Sequence, residues 1–347
     1  MWCVVFILMA IATIPLIGPG RARADGGPDK GGPDKVSVGL YINDIQNIDL
    51  ATNSYAVDFY LWLRWRNPKI DPSTSIEVMN SNALQNTTTS SQGGVVGKPL
   101  YPAPQDLPDG SRYMAMRYQG VFTRKMNLEK YPFDVQTLTL VFEDQAGDVG
   151  KIEYVPDDQP VLINDAVTIP GYRIEKPTLT FKQHRYPTNF GDTSSQPNSR
   201  YSRVIATIPV TRQVLPYLVK IMLPIVIVIL VTSMIYALPA RLEEVRAGIG
   251  VTALLTIVAL QWTTDSTLPS VEYLTMLDLI YILSMVYILA AMGYATIGSR
   301  RTRREMADAE LGALDRRVGL WSLVLYAALV GLTIVAYVHH QRVDSIV

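Results

Sequence analysis

Hydrophobic and polar positions change their rhythm once along this chain, close to Arg212. From Val36 to Thr211 no apolar run reaches membrane length. Short stretches alternate apolar with polar residues, and clusters of Gly, Pro, Asn, Asp and Ser separate them. Alternation sends one set of side chains inward and the other outward, so each stretch reads as a half-buried strand. Strands are expected at residues 36–42, 55–65, 111–122, 137–142, 172–181 and 203–210. Pro108-Asp109-Gly110-Ser111 reads as a hairpin turn, because glycine supplies the positive φ such turns need. Residues 86–97, rich in Thr, Ser, Gln and Gly, read as a loop. Many short strands with tight turns predict an antiparallel, immunoglobulin-like all-β sandwich over residues 36–212.

After Arg212 the apolar runs lengthen. Four of them, at about residues 214–238, 244–264, 274–297 and 318–337, are each long enough to cross a bilayer as a helix. The expectation is a four-helix transmembrane bundle over residues 213–347. The links set its orientation. Arg241 and Arg246 lie between the first and second helices, and Arg300, Arg301, Arg303, Arg304, Arg316 and Arg317 lie between the third and fourth. The link at 265–273 has no Lys or Arg. By the positive-inside rule the Arg-bearing links are cytoplasmic. The β-region, the 265–273 link and the C-terminus are then periplasmic or extracellular, in a multi-pass protein of the inner (plasma) membrane.

The second helix carries an uncommon pattern. Gly248, Thr252, Leu255, Ala259 and Trp262 follow one another by four, three, four and three residues, which places them on one helix face. Glu243 and Glu244 sit at its foot. A lone helix gains nothing from such a stripe in lipid, whereas a ring of identical helices around water does. A packed helix–helix interface also favours Gly, Ala and Thr.

Composition narrows the function classes. The chain has 347 residues and a formal net charge of +0, which gives no electrostatic footprint for nucleic acid. Residues 2–17 form an apolar segment followed by Ala22-Arg23-Ala24, the pattern of a signal peptide spanning residues 1–24. No basic residue precedes the apolar segment, which leaves an uncleaved anchor open. The one cysteine, Cys3, lies inside that segment, so cleavage would remove disulfide, thiolate and Cys-metal chemistry together. His184, His339 and His340 are poorly spaced for a metal site. The tandem Gly-Gly-Pro-Asp-Lys repeat makes residues 25–35 a flexible spacer. Ser/His/Asp sets and phosphate-binding glycine loops are missing, so neither an enzyme nor a cofactor is expected.

Several motifs, in order, resemble the pentameric ligand-gated ion channels in their bacterial form without loop cysteines. Tyr131-Pro132-Phe133-Asp134 is similar to the aromatic-Pro-x-Asp signature of the loop, with Arg124 and Leu138 where animal members carry cysteines. Trp65 with Asn67-Pro68, Pro170-Gly171-Tyr172, Arg212, Pro224, Leu268-Pro269 and Tyr273 also resemble family positions, over a likeness that runs from Val36 to the C-terminus. The resemblance implies a homopentamer whose central pore is lined by Glu244, Gly248, Thr252, Leu255, Ala259 and Trp262. Five Glu244 carboxylates would select monovalent cations at the cytoplasmic mouth, with Glu243 as the competitor for that role. Leu255 would form an apolar collar. Trp262 either forms a second collar or turns between neighbouring helices.

The same resemblance implies that Arg212 couples the two regions through Asp134 and Asp49, with the Tyr131–Asp134 loop pushing on Pro269 and Tyr273. It places the agonist, a small molecule or protons, between subunits. One side would offer Asn80, Glu143, Gln145, Arg185, Tyr186 and Tyr201, and the other Tyr60, Trp62 and Arg117. Tyr60, Tyr186 and Tyr201 beside a carboxylate suit an amine by cation–π attraction. Gln145 stands where amine-binding members place an aromatic residue, and Arg117 and Arg185 suit a carboxylate ligand equally. The alternative from another class is a membrane-anchored sensor or adhesion module without a conducting pore. A mere anchor has no need of aligned Gly and Thr above two glutamates.

Overall fold

The computed structural model describes residues 32–82, 95, 97–145, 147–189, 191, 199–302 and 308–339. The signal peptide, residues 25–31 of the spacer, most of the 86–97 loop and the side chains of Arg300, Arg301, Arg303 and Arg304 lie outside the described residues, while Asp34 and Lys35 of the expected spacer open the first strand instead.

Two β-sheets precede four helices. The first sheet has the order β4-β6-β2-β1-β8, with β5 beside β6. Its strands are β1 Asp34–Asp49, β2 Ser54–Trp65, β4 Lys98–Pro99, β5 Gln105–Asp106, β6 Arg112–Thr123 and β8 Ile152–Ile163. The second has the order β10-β11-β7-β3, with β9 beside β11. Its strands are β3 Ile76–Val78, β7 Val135–Asp144, β9 Tyr172–Ile174, β10 Thr178–Arg185 and β11 Arg200–Arg212.

Alternation builds the core. On β2 the buried set is Tyr55, Val57, Phe59, Leu61, Leu63 and Trp65, while Asp58, Tyr60, Trp62 and Arg64 face outward. On β11 Val204, Ala206, Ile208 and Val210 are buried. The sheets meet through these faces, with Phe59 stacked on Tyr118 at 5.2 Å and edge-on to Phe142 of the other sheet at 5.7 Å. Each such buried side chain stabilises the sandwich by roughly 1.5–3 kcal/mol.

The sheets depart from the sequence expectation at two places. The first is β8, a strand that alternation does not announce because Pro156 and Pro160 interrupt it. It lies at the sheet edge, where missing backbone donors are tolerated. It pairs with β1 in parallel, so the first sheet is mixed rather than purely antiparallel. The register jumps from Val38 opposite Pro156 to Leu40 opposite Val161, which throws Asp157 outward. There Asp157 accepts from Trp62 Nε1 at 2.7 Å and from Arg64 at 2.6 Å. The Trp62 ring lies so close to Gly39 that an added Cβ would sit 2.2 Å from it, so only glycine fits there. The second departure is the expected 172–181 strand. It divides into β9 and β10 near Pro177, whose ring removes a donor from the ladder.

The helices are α1 Val214–Tyr236, α2 Glu243–Asp265, α3 Met276–Thr302 and α4 Asp308–His339, each with a segment long and apolar enough to cross a membrane. α1 is not regular. Residues Leu218–Met222 form a π-helical segment just before Pro224, whose missing N–H and bulky ring disturb the α ladder. α2 opens on Glu243 and Glu244, favourable charges at a helix N-terminus. α3 begins at Met276 rather than 274 because Thr275 and Asp278 cap it reciprocally: Asp278 accepts from the Thr275 N–H at 2.8 Å, and Thr275 Oγ1 accepts from the Asp278 N–H at 3.2 Å. α4 starts ten residues earlier than expected, at Asp308, through Ala, Glu, Leu and Arg residues of high helix propensity.

α3 is the central helix, packed against α1, α2 and α4. Hydroxyl pairs pin these contacts: Thr264–Tyr281 at 2.8 Å, Ser233–Tyr287 at 2.7 Å and Ser284–Tyr326 at 2.8 Å. In hydrocarbon such bonds locate one helix against the next, where apolar packing alone would let them slide.

Asn80 staples the two sheets. Its amide nitrogen donates to the carbonyls of Thr123 at 3.1 Å and Thr139 at 2.8 Å, and its oxygen accepts from the Val141 N–H at 3.0 Å. Asn80→Ala is expected to destabilise the β-region by on the order of 2–3 kcal/mol, because backbone groups lose their partners. The check is a lowered thermal midpoint of the purified protein by intrinsic fluorescence. An unchanged midpoint would refute the staple.

Candidate functional site

α2 has two opposite faces. Its buried residues are Arg246, Gly250, Ala253 and Ile257, which step by four, three and four. At about 100° per residue their mean direction is about 180° from that of Gly248, Thr252, Leu255, Ala259 and Trp262. The second set is open: Leu255 is 67% exposed and Trp262 77%, and Glu244, Gly248, Thr252 and Ala259 are exposed with them. Packing onto α1 and α3 therefore uses one side of α2 and leaves the stripe exposed among the described residues. Glu243 is exposed as well, so burial does not separate the two glutamates. Beside the stripe, Ile227, Val228 and Val231 of α1 and Gly248, Thr252 and Thr256 of α2 border an apolar hollow of about 380 Å³.

The junction between the β-region and the helices centres on Arg212, the last residue of β11. Its guanidinium meets Asp134 in a two-pronged pair, Nε to Oδ1 at 2.7 Å and Nη2 to Oδ2 at 3.0 Å. The side chains are 1% and 2% exposed. Gln136 donates to the second carboxylate oxygen at 2.6 Å. Three tyrosines surround the guanidinium: Tyr172 at 4.7 Å, and Tyr131 and Tyr217 at 4.9 Å each. They come from β9, the 131–134 loop and α1. Gly171 precedes Tyr172 with φ +80°, accepts from the Gln213 N–H at 2.8 Å and lets the Tyr217 hydroxyl come close. Burial opposes the Arg212 charge, but the hydrogen bonds and charge of Asp134 outweigh it and hold the pKa above its ordinary value. Burial likewise raises the Tyr131 hydroxyl pKa.

The loop before Asp134 reaches the helices directly. The Leu128 N–H donates to the Tyr273 hydroxyl at 2.9 Å, and the Met276 N–H at the start of α3 donates to the Glu129 carbonyl at 3.0 Å. Leu128 and Tyr131 are buried in the helix-bundle cluster, with Leu50, Phe133 and Leu268 packed against it. Pro132 is buried and Pro269 half-buried. Of the two expected carboxylates, Asp134 pairs with Arg212. Asp49 is exposed and accepts from the Thr52 N–H at 3.3 Å, closing the turn between β1 and β2 instead. It lies at a turn, where a short side chain bonds its own backbone.

The residues expected to bind a ligand gather in two groups on different sheets. On the outer face of the first sheet Tyr60 faces Arg117 across β2 and β6, with the guanidinium 5.5 Å from the ring. Arg117 grips Asp58 at 3.0 and 2.6 Å, and Trp62 lies one pair further along. On the second sheet Glu143 pairs with Arg203 at 2.7 Å, and Arg203 donates to the Tyr186 hydroxyl at 2.9 Å. The Tyr186 ring stands 5.7 Å from Tyr201 and 4.6 Å from His184. Burial and the bond with Glu143 push the Tyr186 hydroxyl pKa up. Arg185 and Gln145 are exposed near this group. Asn80 belongs to neither, since its amide is taken up by the sandwich seam.

Some functional side chains escape sequence reading. Tyr217 and Gln136 complete the Arg212 site with no local mark, and Tyr172 was marked only by its Pro170-Gly171-Tyr172 motif. Arg203 occupies the tyrosine cluster with its own cation. Arg246, counted with Arg241 as an orienting charge of the link, lies in α2, is 1% exposed at its side chain and pairs with Asp315 at 2.6 Å. No protein-family model matches the chain.

Arg212→Ala is expected to cost about 3–5 kcal/mol, because it leaves the Asp134 carboxylate buried without its cation. Replacing both with Gln and Leu, which leaves no lone charge, should recover much of the loss. Thermal unfolding of the two variants decides it, and equal losses would refute the pair.

The Asp58 carboxyl is held below the usual carboxylate range by its bonds from Arg117, and then Asn43 and Gln119. A depressed folded value contributes stability above the unfolded value of about 4 that disappears as the pH falls. The gap in thermal midpoint between wild type and Arg117→Gln should thus shrink when the pH is lowered from 7 to below about 4. A gap that persists in acid would refute this.

Proposed function

We propose that the chain is one subunit of a ligand-gated, cation-selective ion channel. Five copies surround a pore lined by α2 in the inner (plasma) membrane. The observation that carries this reading is the open stripe of α2, diametrically opposite its buried face and footed by glutamate. A stripe of Gly, Thr, Leu, Ala and Trp facing lipid has no use for its small and polar members. Facing water along a five-fold axis, each has a role.

Five Glu244 side chains at the cytoplasmic end attract cations. A unit charge about 4–6 Å from a passing ion is worth about 3–4 kcal/mol at an effective dielectric near 20, before screening. The Leu255 ring resists ions when it dewets, because hydration must be shed without replacement. Trp262 narrows the outer end. The Arg212 cage and the bonds from Leu128 and Glu129 to Tyr273 and α3 give the β-region a mechanical grip on the outer ends of the helices. The Tyr60–Arg117 group and the Glu143–Arg203–Tyr186 group lie on different sheets of one chain. This favours a small-molecule agonist, or protons, acting where the two faces of neighbouring copies meet.

The test is reconstitution of the purified protein in planar bilayers with an agonist and pH screen. The expected result is a current reversing towards the potassium potential under a KCl gradient. Glu244→Gln should move the reversal towards zero, and Leu255→Ser should give leak current without agonist. A pure, folded preparation that carries no current under any condition, or is not pentameric by mass measurement, would overturn the proposal.

A further inference from the structure

At the cytoplasmic foot of α2, two residues after Glu244, the fully buried Arg246 binds two other parts of the chain. Its guanidinium donates to Asp315 of α4 at 2.6 Å and to the Leu238 carbonyl just past α1, through Nε at 3.1 Å and through Nη2. Asp315 also accepts from the Tyr294 hydroxyl of α3 at 2.8 Å. The side chains of Arg246 and Asp315 are 1% and 3% exposed, and Nη1 has no partner among the described residues.

The charges around this foot differ in how far they act. Arg241, Glu243, Glu244, Arg316 and Arg317 are exposed, so water and salt screen them. Arg246 is not exposed. It stands behind α2, on the far side from Glu244 and within about one helix diameter of it. Left alone, five such cations would oppose five Glu244 carboxylates through a low-dielectric wall. Asp315 cancels each of them inside the subunit.

We propose that Asp315, on the outermost helix, is a selectivity-determining residue of the channel: it neutralises Arg246 so that the field at the mouth is that of Glu244 alone. This rests on the channel reading above. Asp315 lines no pore and touches no ion. It acts through Arg246, so its removal differs in kind from the loss of a helix clamp.

The experiment measures the cation-to-anion permeability ratio of wild-type and variant protein in bilayers at low salt, with single-channel conductance alongside. Asp315→Asn leaves Arg246 charged and is expected to lower the ratio about fivefold or more. Arg246→Met with Asp315→Leu removes both charges and should keep the wild-type ratio, although it breaks the same clamp. If Asp315→Asn does not assemble alone, co-expression with wild type gives mixed rings, whose ratio should fall as the share of variant rises. Conducting Asp315→Asn channels, pure or mixed, with the wild-type ratio would overturn the inference. So would an equal fall in the double variant, which would assign the effect to helix placement. A wild-type protein without current overturns the channel reading and this one with it; unchanged selectivity in a conducting variant overturns this one alone.

Discussion

The junction between water-facing sheets and lipid-facing helices depends on the charge of Arg212. A guanidinium at 1% exposure is tolerable only because Asp134 meets it with two bonds and three tyrosine faces surround what remains. These four partners arrive on three elements: Asp134 and Tyr131 on the 131–134 loop, Tyr172 on β9 and Tyr217 on α1. To satisfy one buried cation the chain must bring all of these to one point. That point fixes where β11 ends, where α1 starts and how the loop carrying Leu128 and Glu129 lies on α3. The β-region and the helices are two structures by solvent and one by this requirement.

Below the junction the solvent changes and so do the rules of assembly. In the sandwich, burial of Phe59, Phe142, Leu61 and their neighbours supplies the drive and hydrogen bonds supply the register. Among the helices lipid is as apolar as the side chains, so burial decides little. Position is set by sparse polar contacts instead: Ser233 with Tyr287, Thr264 with Tyr281, Ser284 with Tyr326, and Arg246 with Asp315. Two of them, Ser233 with Tyr287 and Arg246 with Asp315, join helices that are not consecutive in the chain. α4 presents mostly apolar surface outward, including Trp321, Leu325 and Leu332, and its described polar ties to the bundle include Tyr326 and Asp315.

What could be read from the sequence follows from how local each signal is. Alternation made β2, β6 and β11 legible, because one face of β2 and of β11 is buried almost throughout and that of β6 at Met114, Met116, Tyr118 and Phe122. It failed at β8, where prolines at the edge cost the sheet nothing but erase the pattern. Run length revealed all four helices, and spacing alone found the α2 stripe that the structure leaves uncovered. The partner of Arg212 was legible in Asp134, which sits in a compact motif, but Asp49 was not distinguishable from it without the turn that occupies its carboxylate. Tyr131 and Tyr172 sit in short motifs that could be read, but Tyr217 carries no local mark, so the convergence of three rings on one cation was hidden. The pairing of Arg246 was hidden for a related reason. Its partner Asp315 lies beyond the apolar run that announced α4, on helical turns that only propensity supports.

The edges of the first sheet carry a further consequence. One edge is β4, two residues long, and the other is β8, broken by Pro156 and Pro160 and pushed out at Asp157. Neither offers a continuous row of free backbone donors and acceptors on which another strand could grow. Copies of this chain that meet along this sheet must therefore recognise one another by side chains and not by strand addition. Backbone pairing accepts almost any sequence, whereas a side-chain surface does not. A chain built this way can change which copies it accepts one surface residue at a time, while the hydrogen-bonded frame beneath stays as it is.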